Sequence, residues 1–210
     1  MHLVLCSASP RRRELLARVG LSFEVRAPAV DESRRAGEPV RDLPLRLARE
    51  KAWAGLSLAR LVAPSDSSPW LALAADTVVS LGDQELGKPR DRAHARALLE
   101  RLSGREHTVT TGVCVLGPGG AERSCAIDTK VRFTRLSAEQ LDWLAASGEG
   151  DDKAGGYALQ GLAGAFIERI EGSVTNVIGL PLLETLRLLE ESGLRLPWSA
   201  PRQAQAGVAP

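Results

Sequence analysis

The chain has 210 residues, enough for one domain or two small ones and for a substantial buried core. Hydrophobic residues make up 44% and charged residues 25%, the balance of a globular chain; a net charge of +1 with 4% aromatics argues against a general nucleic-acid surface. Three cysteines without metal-ligand spacing (Cys6, Cys114 and Cys125) fit a reduced, cytoplasmic protein, and neither a signal core nor the roughly 18 apolar residues of a membrane span is present.

Residues 3–6 are an apolar run expected to form a short buried strand. Ser9 is placed to cap a helix with Pro10 at its first position; Leu15, Leu16 and Val19 give it an apolar face, and Gly20 ends it. Residues 23–25 read as a strand, and 26–42, charged and punctuated by Pro and Gly, as a loop. A helix is predicted over 43–59 and a surface loop over 63–69. Residues 70–75 are continuously apolar, the pattern of a central strand buried on both faces. Asp76 is expected to close that run, with 78–81 extended and Gly82-Asp83 turning a hairpin. Asp91 is a cap for a helix reaching Leu102, and Ser103-Gly104 stops it.

Residues 108–116 and 121–135 read as two long strands around Gly117-Pro118-Gly119-Gly120. A turn centred on Gly119-Gly120 would set Cys114 opposite Cys125, where a disulfide is geometrically conceivable; two reduced strand residues are favoured on compartment grounds. Ser137 and Gln140 form a capping-box pair for a helix to about 146, followed by a Gly- and Asp-rich loop over 147–156. Strands are predicted over 165–170 and 176–178, and Pro181 opens a last helix over 182–191. The small, polar tail after Pro197 is expected to be disordered. Alternating strands and helices followed by hairpins predict an α/β fold with a mixed sheet.

The turn from Ser7 to Arg12 carries the first chemistry. A strand end, two hydroxyls (Ser7 and Ser9) and a helix N-terminus attract an anion. Arg11 and Arg12 in the first helical turn oppose the helix dipole, a conflict that a bound phosphate resolves. Asp76, followed by Thr77, is a carboxylate after a buried strand, able to bind a divalent cation or take a proton from water. Lys88 in Gly87-Lys88-Pro89 is a point charge suited to phosphate; Lys51 and Lys153 are weaker candidates of the same kind. Asp31-Glu32 could complete a metal site with Asp76. Gln160 could bond both a donor and an acceptor of a base edge. His107, with no evident partner, reads as structural.

In order along the chain, Ser7-Ala8-Ser9-Pro10-Arg11-Arg12, Ala75-Asp76-Thr77-Val78-Val79, Gly87-Lys88-Pro89, Ser103-Gly104 with His107, Lys153-Ala154-Gly155, Gln160-Gly161 and Gly179-Leu180-Pro181 resemble the Maf family of nucleoside triphosphate pyrophosphatases. The resemblance implies a mixed, twisted sheet with flanking helices, similar to the inosine triphosphatases. It implies a single domain over 1–196 whose two lobes enclose a nucleotide cleft. It also implies hydrolysis of a nucleoside triphosphate to the monophosphate and pyrophosphate, a divalent cation (magnesium or manganese), often a homodimer, and a role in removing non-canonical nucleotides or controlling division. Asp76 matches the family's proton acceptor, and Glu32 joins it as a candidate metal ligand. Arg11, Thr77 and Gln160 match the positions that separate substrate branches, and this set resembles the dTTP and UTP branch. The branch acting on 7-methylguanosine triphosphate has Trp where Arg11 stands. Ser7, Ser9, Arg12, Lys51 and Lys88 are the phosphate-binding candidates.

Overall fold

The structure, a computed structural model, describes residues 1–62 and 69–199. Residues 63–68 of the loop predicted at 63–69, and the tail predicted after Pro197 from residue 200 onward, lie outside the described residues. One seven-stranded sheet has the order β2-β1-β3-β5-β6-β7, with β4 on β3 off that path. β1 (His2–Leu5) pairs in parallel with β2 (Glu24–Val25) and with β3 (Trp70–Leu81). From β3 through β5 (Glu106–Leu116), β6 (Glu122–Phe133) and β7 (Ile167–Glu171) the pairing is antiparallel, as it is to the short β4 (Gln84–Glu85). The mixed α/β architecture expected from the sequence is therefore present. No helix of the described residues is long and apolar enough to cross a membrane.

The helices begin where their caps require. Ser9 accepts the Arg12 N–H at the start of α1 (Pro10–Arg18), and Asp91 accepts the His94 N–H at 2.7 Å at the start of α3 (Arg92–Leu102). Ser137 and Gln140 complete the capping box of α4 (Ala138–Ala146). α2 (Leu43–Val62) runs three residues beyond its expected end. The strand expected over 176–178 is instead α5 (Val174–Ile178), because Ser173 accepts the Asn176 N–H and caps a short helix, which Gly179 ends at φ 124. The strand expected from 165 starts at Ile167, after a 3₁₀ segment over Leu162–Phe166.

β3 explains its own apolar run. Leu71, Leu73 and Ala75 point into the layer made with α1 and α6 (Leu182–Glu191), beside Leu15, Leu16 and Leu189. Ala72 and Ala74 point the other way, onto Ala48, Ala52 and Leu56 of α2. Small residues on that face bring α2 close. A Cβ at Gly112 of β5 would lie 2.4 Å from the Leu45 backbone, and one at Gly55 of α2 would lie 2.2 Å from the Cys6 sulfur. Cys6 is thus a packing residue.

Asp76 does not close a strand, contrary to expectation: β3 continues through it to Leu81, with Asp76 directly opposite Gly112. What ends near Asp76 is β1. Its last pairing is Leu5 with Leu73, and β4 first pairs at Ser80, so β3 has a gap on that side. The Leu73 and Val79 carbonyls accept from the Cys6 and Leu86 N–H groups, which orients the odd-numbered residues toward this side. Thr77 therefore directs its backbone into the gap.

The cysteine register also differs by one residue. Cys125 pairs across from Val113, and Cys114 from Ser124, so the two thiols lie on opposite faces. All three cysteines are free. Burial pushes Cys114 up to about 12 and Cys125 to about 11.

His107 has a partner the sequence did not disclose: its Nε2 lies 2.8 Å from the Tyr157 hydroxyl, and the ring stacks on Phe133. Burial pushes the imidazole from 6.5 down to about 4. The folded value lies below the unfolded one, so this group's contribution is complete above pH 6.5 and is lost as pH falls toward 4. Urea unfolding should show that loss at about 3 kcal/mol between neutral pH and pH 4. In His107→Phe this part of the slope should vanish; an unchanged slope would mean the ring is charged in the fold.

Candidate active site

The Ser7–Arg12 turn lies beyond the carboxyl end of β1, at the gap in β3. Ser7 Oγ accepts the Ser9 N–H at 3.2 Å and the Arg12 guanidinium at 3.1 Å. Arg12 is buried and also donates from Nε to the Gly179 carbonyl at 2.8 Å and from Nη2 to Thr77 Oγ1 at 3.1 Å. Of the five guanidinium donors, three serve the protein and two remain for a ligand. Burial pulls Arg12 below its ordinary value, and the Asp76 and Glu32 charges oppose that.

Thr77, a candidate specificity residue, uses its side chain differently. Its hydroxyl accepts from Arg12 and lies 2.9 Å from the Thr111 hydroxyl, on the face opposite Asp76. It orients Arg12 from behind.

Asp76 points to the α2 face. Lys51, from the middle of α2, places Nζ 2.6 Å from Asp76 Oδ1 and 2.6 Å from Glu32 Oε1. That hydrogen bond from Lys51 holds the Glu32 carboxyl below its ordinary value, with Lys88 and Arg12 adding to it. The lysine expected to close on phosphate is thus engaged by two carboxylates, and their other oxygens, Oδ2 and Oε2, remain for a ligand. Among the described residues no three acidic, His or Cys groups cluster as a self-sufficient metal cage. Two hard carboxylates beside an anion site do fit magnesium or manganese, which take one or two carboxylates plus substrate phosphates.

These residues line a chamber of about 370 Å³ that also receives Ser9, Arg11 and Lys88. A second chamber of about 370 Å³ adjoins it, walled by Val79, Tyr157, Val177 and Ile178, with Lys153 and Gln160 at its polar side. Arg11 and Ala154 line both, and Arg11 lies 3.9 Å from Asp152 of the loop that follows α4. Asp76 and Val79, of opposite strand parity, serve chambers on opposite faces of β3. The structure thus gathers Ser7, Ser9, Arg11, Arg12, Glu32, Lys51, Asp76 and Lys88 in one chamber and Gln160 in the next; Thr77 lines neither.

Lys153, a weaker lysine candidate in the sequence, is joined near the site by two residues that carried little signal there, Tyr157 and Asn176. Lys153 lines the second chamber, bonded to the Glu149 carbonyl and the Asp152 carboxylate. Tyr157 spans from that chamber to His107. Asn176 is fully buried and donates to the Val109 carbonyl at 2.9 Å and the Ile127 carbonyl at 3.0 Å, fixing α5 so that the Gly179 carbonyl meets Arg12.

The family model described as "Maf-like protein" matches residues 2–192. A protein of Anaeromyxobacter dehalogenans named dTTP/UTP pyrophosphatase is 50% identical over 203 residues, covering 95% of this chain and 98% of its own. One of Myxococcus xanthus with the same name is 50% identical over 198 residues, covering 94% and 96%. Among solved structures, a HAM1 protein from Coxiella burnetii aligns at 17% identity with a TM-score of 0.42, over 65% of this chain and 74% of that chain. With a family model spanning nearly its whole length and half-identical relatives end to end, the chain belongs to the Maf family.

Proposed function

We propose that this protein hydrolyses dTTP and UTP to the nucleoside monophosphate and pyrophosphate. The observation that carries the reading is the pair of carboxylates, Asp76 and Glu32, held on Lys51 beside the Ser7–Arg12 anion turn. The name of the half-identical relatives supports it. Ser7, Ser9, Arg11, Arg12 and Lys88 hold the phosphate oxygens, and Lys51 balances the carboxylates. Asp76 orients a water and accepts its proton as the water oxygen bonds to the α-phosphorus. The bond from that phosphorus to the bridging oxygen breaks, and pyrophosphate leaves. Asp76 and Glu32 are the residues that would hold a divalent cation, magnesium or manganese, whose chemistry is neutralisation of phosphate charge. Positioning and charge supply most of the rate.

Gln160 reads the pyrimidine edge in the second chamber, and Arg11, between the chambers, couples base to phosphate. Thr77 acts on specificity through Arg12. Residues 1–196 work as one unit whose two lobes share β3, in a cytoplasmic homodimer. A panel of nucleoside triphosphates with magnesium tests the reading: dTTP and UTP should give pyrophosphate ahead of ATP, GTP and CTP. Orthophosphate as the sole product would indicate a different phosphatase, and tight binding without product would indicate a nucleotide-sensing regulator.

A further inference from the structure

The segment that carries Gln160 is clasped onto itself. Glu149, in the loop after α4, places Oε2 2.7 Å from the Leu162 N–H. Its carbonyl accepts from Lys153 Nζ at 2.6 Å. Gly161, between Gln160 and Leu162, has φ −106, which any residue tolerates, so its lack of a side chain is a matter of space. A Cβ there would lie 2.1 Å from Glu149 Oε2. Two further close approaches tighten the same segment. A Cβ at Gly150 would lie 2.0 Å from the Gly156 carbonyl, and one at Gly164 2.4 Å from the Leu159 carbonyl. Gln160 is itself exposed and sits on an irregular stretch without a strand or helix to fix it. Its direction therefore depends on its neighbours, and the charged acceptor among them is Glu149, which lines the same chamber.

We infer that Glu149 is a positioning residue for base selection, holding the Leu162 N–H so that Gln160 faces the pyrimidine. The inference rests on the proposed role of Gln160. A carboxylate bond to one backbone N–H, partly open to solvent, is worth about a tenfold change in affinity. That change should fall on the base that Gln160 reads and spare the phosphate end. A residue that only maintained the fold would weaken every nucleotide alike.

The test uses the full chain and two non-hydrolysable probes, the α,β-imido analogues of dUTP and dCTP, titrated calorimetrically with magnesium. Glu149→Ala should weaken the dUTP analogue about tenfold and leave the dCTP analogue within about twofold, so that discrimination collapses. Glu149→Gln, whose amide oxygen still accepts, should stay within about threefold of the wild type. Gly161→Ala, which pushes the carboxylate away without removing it, should reproduce Glu149→Ala. The double variant should be no worse than either single one, the signature of one shared interaction. If Glu149→Ala proves too unstable to titrate, Gly161→Ala decides alone. An unchanged ratio between the two probes in Gly161→Ala or Glu149→Ala, equal weakening of both probes, or additive losses in the double variant would each overturn the inference. A wild type that binds both probes equally removes Gln160 as base reader and the inference with it. Wild-type pyrophosphate release from dTTP is a separate measurement, so a failure of the proposed reaction is distinguishable from a failure of the clasp.

Discussion

Asp76→Asn should lower pyrophosphate release from dTTP by about a thousandfold or more while leaving affinity for a non-hydrolysable dTTP analogue within about threefold. Asparagine preserves the shape of the side chain, and its amide oxygen can still accept from Lys51, which sits 2.6 Å from the present Oδ1. Glu32 remains to balance the ammonium, so the buried charge is not stranded. What disappears is the ability to accept a proton from water and half of the anionic pair that faces the phosphates. Single-turnover assays beside calorimetric titration separate the two effects. Turnover within tenfold of the wild type would remove Asp76 as the base, and a large loss of analogue affinity would make it chiefly a binding residue.

Arg12→Lys should damage both stability and activity, because one guanidinium holds three segments together. It reaches the Gly179 carbonyl, 167 residues away in sequence, together with Ser7 and Thr77. A lysine ammonium is a single point on a flexible stem and cannot meet all three at these distances while also offering donors to phosphate. The buried Gly179 carbonyl or the part-buried Thr77 hydroxyl then loses its guanidinium donor. Chemical unfolding should show a loss of about 3 kcal/mol. kcat/KM for dTTP should fall about a hundredfold, through both parameters, since the misplaced anion turn affects ground state and transition state together. Thr77→Ala removes one of the three partners and should have a smaller effect in the same direction. Stability equal to the wild type in Arg12→Lys would show that the three contacts are incidental.

Most of the secondary structure was legible because local chemistry decides it. Ser9-Pro10, Asp91 and the Ser137–Gln140 pair each announce a helix start, and the structure begins helices at each. The anion turn was legible for the same reason: its hydroxyls, arginines and helix N-terminus are within six residues. Elements decided by distant partners were less so. Asn-Val-Ile at 176–178 has strand-like composition, yet the Ser173 cap and the reach of Asn176 into β5 and β6 make it helical. Asp76 reads as a strand terminus when the run before it is apolar; the strand continues because β5 pairs with it throughout. The hairpin between β5 and β6 was visible, but its register turns on a single residue, which reverses the face of each cysteine. Within the site, Lys51 and Glu32 were visible as candidates without their mutual bond, and Arg12 and Thr77 without theirs. No spacing rule encodes a contact that a long excursion of the chain brings about.

The gap beside β3 has a consequence for how the site tolerates change over time. Thr77 commits its hydroxyl to Arg12 and turns its own N–H and C=O toward the opening where β1 has ended and β4 has not begun. Those two groups belong to the main chain, common to every amino acid except for the missing N–H of proline. Drift at position 77 can therefore alter the bracing of Arg12 while leaving the polar edge in place. The edge beside the site that is hardest to recognise from residue identities is also the one that substitutions are least able to erase.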